Sequence, residues 1–357
     1  MRVLIRCDAS TATGSGHVMR CLTLADALSL KGAEVSFICR QQAGDLNLLI
    51  EKRGYRVDRI TGKPLGWEAD ARRCGEFAAD GGAASWLVVD HYGLDARFER
   101  RLHRYCDKIL VIDDLADRPH DCDLLLDQNL YCDMESRYRG LLPEACRTLL
   151  GPRYALLRPE FVEARRRQGA RQGELRHLLI SFGGSDPTNE TTKALAALEM
   201  LPTEGLFLDV VAGSSNPRAP SLQAACAALP GCTFHTQVDN MATLMSRADL
   251  ALGSGGTTTW ERCYLGLPSL TVVVAPNQRL TTEAVAAAGA TWNLGWHAEL
   301  SPATLAARIA ELQGAPDRLT QMSARALSLM GDAARREHPL LALMYGGSND
   351  GTKTDAA

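Results

Sequence analysis

The sequence predicts an α/β protein made of two doubly wound domains. Three observations carry this. Strand-length apolar runs alternate with helix-length stretches along almost the whole chain, an order that produces parallel sheets. Several runs are continuously apolar, among them Leu87-Val88-Val89 and Leu270-Thr271-Val272-Val273-Val274, as strands covered on both faces are. At 357 residues the chain is long for a single core, so two domains are expected.

In chain order, the first half offers strands at 2–7, 34–39, 86–90, 108–113 and 124–127. The second offers them at 177–181, 206–212, 250–253 and 269–274. The pattern breaks between 130 and 174. Arg165-Arg166-Arg167, Gly169 and Gly173 read there as a solvated connector. This sets an N-terminal domain at 1–168 and a C-terminal domain at 169–345. Residues 346–357 are polar, small and glycine-rich, the composition of a disordered tail.

Bulk properties exclude several classes. A net charge of −3 lacks the basic excess of nucleic-acid binders. No apolar run reaches ~18 residues, so no membrane span is expected. The N-terminus enters a strand without a signal-peptide layout. The eleven cysteines are scattered with no Cys-x-x-Cys pair, which suggests reduced thiols in a cytoplasmic protein rather than a disulfide framework or zinc site.

The richest stretch is the first. The run Val3-Leu4-Ile5 leads through Arg6, Asp8 and Ser10 into Gly14-Ser15-Gly16-His17, and a helix-like stretch follows at 18–30. Two glycines allow a sharp turn and close approach to a ligand. A helix start suits an anion, and His17 is a candidate acid or base. A plain tight turn with a packing histidine would leave the same string.

Three further strand ends draw notice. Trp86-Leu87-Val88-Val89 runs into Asp90-His91-Tyr92, and such ends point polar groups at ligands; a helix-capping Asp90 is the plainer reading. The strand at 108–113 ends in Asp113-Asp114; two adjacent acids could suggest a metal site, but successive strand-end residues point apart, and a solvated loop is the reading taken. In the second half, Phe182-Gly183-Gly184-Ser185-Asp186 and Gly253-Ser254-Gly255-Gly256-Thr257-Thr258-Thr259 each follow an apolar run and precede a helix. Their N–H groups, with Thr257 and Thr258, can hold a diphosphate without metal. Glu261, one turn on, has the spacing to accept both hydroxyls of a ribose. Ordinary turns and a surface Glu261 remain the alternative. Neither is a Walker-type loop, and the N-terminal turn lacks the third glycine of a dinucleotide fingerprint.

The string Arg6, Asp8, Ser10, Gly14, Gly16, His17, Arg20 and Cys21 resembles the start of the PseG family, the UDP-sugar hydrolases of pseudaminic acid synthesis and relatives of the MurG-type glycosyltransferases. Asp90-His91-Tyr92 is similar to a string of that family. The order Gly255-Gly256-Thr257-Thr258-Thr259-x-Glu261, Gly266-Leu267-Pro268, Pro276-Asn277-Gln278 resembles the C-terminal nucleotide-sugar domain of the glycosyltransferase-B fold. The likeness spans residues 1–345.

It implies a GT-B-like pair of Rossmann-like domains with a cleft between them. UDP would sit on the C-terminal domain, and sugar and water on the N-terminal one. Gly183, Gly184, Gly256, Thr257 and Thr258 would meet the diphosphate, Glu261 the ribose, and Asn277 and Gln278 the sugar. Asp8, Ser10, Gly14, Gly16, Arg20, Asp90 and Tyr92 would line the sugar side, with His17 as general base. The implied reaction is inverting hydrolysis of UDP-2,4-diacetamido-2,4,6-trideoxy-β-L-altropyranose. UDP is a good leaving group whose charge the glycine turns can meet, so no metal or other cofactor is invoked; a UDP-sugar is the expected partner and a monomer the expected state. Two rivals stand beside it. One is a GT-B glycosyltransferase moving a UDP-amino sugar to an alcohol. A membrane-acting transferase would present an apolar, basic helix, and the nearest candidate, Glu99-Arg100-Arg101-Leu102-His103-Arg104, reads as solvated. The other is a non-catalytic nucleotide-sugar binder, which has little need of His17.

Overall fold

The computed structural model describes residues 1–346 except 11–12, 63–65, 169, 214–215, 237 and 332–337. The expected tail therefore lies, apart from Gly346, outside the described residues, as does Gly169.

The chain divides into two compact units. One holds residues 1–129 and 133–156 and takes back the C-terminal segment with helix Pro339–Met344; the other holds 157–334 with 130–132. Each is built on a wholly parallel sheet. In the first unit the strands are β1 (Arg2–Cys7), β2 (Glu34–Arg40), β3 (Arg56–Ile60), β4 (Ala84–Asp90), β5 (Cys106–Ile112), β6 (Leu124–Asp127) and β7 (Arg147–Leu150), in the order β3-β2-β1-β4-β5-β6-β7. In the second they are β8 (His177–Ser181), β9 (Phe207–Ala212), β10 (Cys232–Thr236), β11 (Leu250–Ser254), β12 (Ser269–Val273) and β13 (Thr291–Trp296), in the order β10-β9-β8-β11-β12-β13.

The period-two alternation of a strand explains the layering. Val3, Ile5, Trp86 and Val88 face one core, shared with Val18, Cys21, Leu22, Ala25 and Leu28 of helix Gly16–Ser29. Leu4, Leu87 and Val89 face the opposite core, under helices Trp67–Ala79 and Ala96–Leu102. In the second unit Leu178, Ile180, Leu250 and Leu252 face one side, while Leu179 and Ala251 face the other. Strands buried on both sides are apolar through their middles, as Val3-Leu4-Ile5, Leu87-Val88-Val89 and Leu178-Leu179-Ile180 are.

Four strands were not expected: β3, β7, β10 and β13. They are the four edges of the two sheets. The interval 130–174 is also more structured than a connector. It contains β7 and helix Pro159–Arg166, whose Phe161 is buried against Leu179, Val211 and Met245. That packing draws the helix into the second unit, so the chain passes between units at 156–157 rather than 168. Of the arginine run, Arg166 and Arg167 are exposed and pair with Glu163. The end of the chain also departs from expectation, because Leu340, Leu341, Leu343 and Met344 fill the first unit's core and Met344 O accepts from Trp86 Nε1 at 3.0 Å.

Candidate active site

The register of the first sheet aligns the carboxyl ends of its strands. Arg40 closes β2, Asp8 follows β1, Asp90 closes β4, Asp113 and Asp114 follow β5, and Asp127 closes β6. All six are buried. Buried carboxylates persist as anions only when donors compensate their lost hydration.

Helix Gly16–Ser29 brings its donors to Asp90 from consecutive turns. His17 and Arg20 lie three residues apart and so share a face. His17 Nδ1 is 2.5 Å from Asp90 Oδ1, while Arg20 donates through Nε to Oδ2 and through Nη2 to Oδ1, both at 2.6 Å. Cys21 Sγ adds a donor to Oδ2 at 3.4 Å. Burial acts to raise the Asp90 pKa, but Arg20 and His17 outweigh it and hold the carboxyl well below the usual range. Arg20 Nη1 continues to Asp114 Oδ2 at 3.1 Å. A carboxylate on Nδ1 requires the proton there, so a neutral His17 carries its lone pair on Nε2. No described residue bonds that atom. Tyr92 stands edge-on to the imidazole, ring centroids 4.5 Å apart.

A second charged group lies beside the first. Arg6 is fully buried in β1 and forks onto two carboxylates: Nη1 and Nη2 reach Asp8 at 2.5 and 2.9 Å, and Nε and Nη2 reach Asp70 at 2.9 Å each. Asp8 also accepts from Arg40 N at 2.7 Å and lies 3.3 Å from His91 Nε2. Its pKa falls for the same reason as that of Asp90: Arg6 and His91 overcome burial. A cavity of about 320 Å³ opens between the two groups, lined by His17, Arg40, Trp67, His91 and Tyr92 among others. The expected sugar-side residues thus sort into two kinds. Asp8 and Asp90 also reach the cavity wall, but their oxygens, like the Arg20 guanidinium, are taken up by neighbouring groups, which they position. His17 and Tyr92 face the cavity. Ser10, also on its wall, takes the Thr13 N–H at 3.0 Å, while its carbonyl takes that of Gly14, whose φ of +76° suits glycine. Gly16 opens the helix.

Asp113 and Asp114 are not a solvated loop. They do point apart, but into protein. Asp113 takes the N–H groups of Leu115 and Ala116 and an ion pair with Arg118 at 2.9 Å, while Asp114 meets Arg20. Glu99 departs from the solvated expectation as well. It is fully buried on helix Ala96–Leu102, 2.7 Å from His120 Nδ1, while Arg100 and Arg101 of the same helix are exposed.

In the second unit, Asp186 accepts from the N–H groups of Glu190 and Thr191 at 2.9 Å each. It caps helix Glu190–Leu198, so those two N–H groups are already occupied, and exposed Gly183, Gly184 and Ser185 remain open at this turn. The second turn is braced from beneath. Arg262, buried, donates to Ser254 O at 2.9 Å, Thr259 Oγ1 at 3.1 Å and Thr258 Oγ1 at 3.3 Å, and burial pushes its pKa down to about 10. Gly256, Thr257 and Thr258 stay at least partly open. Glu261 Oε1 accepts from Arg158 Nε and Nη2 at 3.1 and 3.0 Å, while Oε2 has no hydrogen-bond partner among the described residues. Burial raises the Glu261 pKa against the pull of Arg158. Gln278 lies against Gly255 and Gly256, with its Oε1 on the Val274 N–H at 3.1 Å, and Asn277 is exposed.

Sequence reading missed Arg40, Trp67, Asp70 and His91 as cavity residues and Arg158 as the partner of Glu261. One signal was available. Arg6 interrupts the run Val3-Leu4-Ile5 in a strand that is otherwise core, and a charge there demands buried carboxylates.

Comparison with known proteins accords with this architecture. Residues 180–336 match the glycosyltransferase family 28 C-terminal domain. The chain is 28% identical to the UDP-2,4-diacetamido-2,4,6-trideoxy-beta-L-altropyranose hydrolase of Campylobacter jejuni over 81% of its own length and 97% of that protein. It is 26% identical to the spore coat polysaccharide biosynthesis protein SpsG of Bacillus subtilis, over 83% and 84% of the two chains. The crystal structure of Acinetobacter baumannii MurG superposes with a TM-score of 0.63 at 16% identity, covering 92% of this chain and 94% of that one. The chain is thus similar to the UDP-diacetamido-trideoxy-altropyranose hydrolase of Campylobacter jejuni, and its fold is the pair of Rossmann-like domains of the glycosyltransferase-B fold.

Proposed function

We propose that the protein hydrolyses UDP-2,4-diacetamido-2,4,6-trideoxy-β-L-altropyranose to UDP and the free sugar. The observation that carries this is the His17–Asp90 pair at 2.5 Å on the wall of the N-terminal cavity. His17 Nε2 takes a proton from water as the water oxygen bonds to the anomeric carbon. The bond from that carbon to the β-phosphate oxygen breaks on the opposite side, and configuration inverts. Asp90 holds the imidazole in the required tautomer and compensates the imidazolium as it forms. A base of this kind contributes about 10²–10⁴-fold.

UDP leaves as a stabilised anion. Gly183, Gly184, Gly256, Thr257 and Thr258 would take its phosphate charge. Arg262 bonds the oxygen of Thr258, which leaves that hydroxyl's proton for a phosphate oxygen. Glu261 Oε2 would accept from the ribose, and Asn277 and Gln278 would face the sugar. The substrate identity rests on likeness to the Campylobacter jejuni enzyme.

The test is UDP release from a panel of UDP-amino sugars without acceptor, comparing wild type with His17→Asn. Fast release from the trideoxy-altrose donor, lost in the variant, supports hydrolase, substrate and base together. Clear UDP binding with no release from any donor would overturn the hydrolase in favour of a transferase lacking its acceptor.

A further inference from the structure

Behind the His17 wall lies a buried group that the proposed reaction does not use. Tyr138 Oη is 3.1 Å from Asp113 Oδ2, 3.2 Å from Asp113 O and 3.0 Å from Asp127 Oδ2. Asp113 and Asp127 are each 1% exposed and Tyr138 6%. A phenol has one proton to give. It can serve the two oxygens of Asp113 as a forked donor, and it then faces Asp127 Oδ2 with a lone pair. Two oxygens at 3.0 Å without a proton between them repel, so Asp127 must supply one.

The surroundings say which carboxyl holds it. Asp113 has Arg118 at 2.9 Å and two backbone N–H groups, and His120 Nε2 stands at 3.9 Å, itself held by Glu99 through Nδ1. It is well compensated as an anion. Asp127 has one backbone donor, Asn129 N at 3.0 Å, with Arg137 Nε at 3.5 Å. Arg137 directs Nη2 to the carbonyls of Asp114 and Leu115 at 2.9 and 3.0 Å. The Asp114 carboxylate adds a like charge from the β5 side. On the β7 side Asp127 is paired with Leu150, and that strand's one charged residue, Arg147, is at its other end.

We infer that Asp127 is a neutral carboxylic acid in the folded protein, donating through Oδ2–H to Tyr138, which donates in turn to Asp113, and that loss of this proton is a pH switch on the wall supporting His17. Burial, with the Asp114 charge adding to it, pushes Asp127 up to about 7, so the switch works near neutrality. Ionisation puts a second negative charge beside Asp114 and draws Arg137 off the Asp114 and Leu115 carbonyls. Asp114 is the residue that Arg20 grips while it holds Asp90.

The test compares wild type with Asp127→Asn. An amide keeps the neutral acid's pattern: its NH₂ donates to Tyr138 and its oxygen accepts from Asn129 N. The unfolded chain ionises this carboxyl near pH 4 and the folded protein retains its proton. Between those values the wild-type folding equilibrium therefore falls about tenfold per pH unit from this group. Thermal or urea unfolding from pH 5 to 8 should show that fall in wild type and its loss in Asp127→Asn, the variant being the more stable above pH 7. A variant less stable than wild type by the same amount at every pH overturns the inference. Infrared spectra of the wild type decide the matter if the variant does not fold. A buried carboxylic-acid C=O band that titrates away above neutrality supports it, and no such band at pH 6 refutes it. Neither readout depends on the hydrolase reading.

Discussion

Asp90 fixes the tautomer of His17. The carboxylate sits 2.5 Å from Nδ1 and is itself pinned by two bonds from Arg20, each 2.6 Å long. The imidazole can therefore accept a proton only at Nε2. Asp90→Asn keeps the shape but offers an amide that can donate to Nδ1 and turn the lone pair inward. Turnover should fall by about 10²–10⁴-fold with KM little changed. Arg20 would lose one of its two bonds to this side chain and the buried charge that matches it, so unfolding should also become easier by about 3–5 kcal/mol. Steady-state kinetics on material shown to be folded by circular dichroism checks both. Unchanged turnover would remove Asp90 from the mechanism.

Glu261→Ala addresses the other unit. Its Oε2 lacks a partner while Oε1 is tied to Arg158, an arrangement suited to receiving a hydroxyl. The alanine variant should bind UDP at least tenfold more weakly by calorimetry, which corresponds to about 1.4 kcal/mol. It should hydrolyse bound substrate at a rate nearer the wild type than Asp90→Asn does. Equal UDP affinity would exclude Glu261 from the nucleotide site.

What the sequence revealed and concealed follows one rule. Strands buried on both faces have apolar middles, and β1, β2, β4, β5, β6, β8, β9, β11 and β12 are legible as such runs. The four edge strands carry half-buried polar residues, as Arg56–Ile60 and Thr291–Trp296 do, and leave no such mark. The site divides the same way. His17, Arg20 and Asp90 sit in short strings at a strand end and a helix start, where the pattern speaks. Asp70 reaches Arg6 across 64 residues of chain, and no local spacing reports that. Nothing near Asp114 in sequence marks it as buried, because the cation over it, Arg20, comes from 94 residues away.

The glycine turns give a steric prediction. A Cβ on Gly213 would collide with the backbone of Gly184, and one on Gly253 would meet Ser181 O at 2.6 Å. Gly213→Ala should displace the Gly183–Gly184 turn and weaken UDP binding more than it lowers stability. Gly14→Ala has open space but a φ of +76°, and should cost about 1–2 kcal/mol of local backbone strain. Calorimetric UDP titration beside thermal unfolding separates the two effects. Wild-type UDP affinity in Gly213→Ala would show that the first turn does not touch the nucleotide.

The buried acids predict opposite responses to pH on the two sides of a maximum. Asp8, Asp70 and Asp90 are all held low in the folded protein because nearby arginines outweigh burial. For a carboxyl so depressed, the folded state binds fewer protons than the unfolded one below about pH 4. Its stabilisation is present above that value and is lost as pH falls through it. Asp127 is raised instead, so its contribution declines as pH climbs from about 4 toward 7. The thermal midpoint should therefore climb steeply from pH 3 to about 5 and drift down toward neutrality. Asp70→Asn should flatten the acid side by about one proton, and Asp127→Asn should flatten only the neutral side. A midpoint that rises monotonically from pH 3 to 8 in wild type would mean that the Arg6 and Arg20 clusters dominate and that Asp127 is ionised throughout.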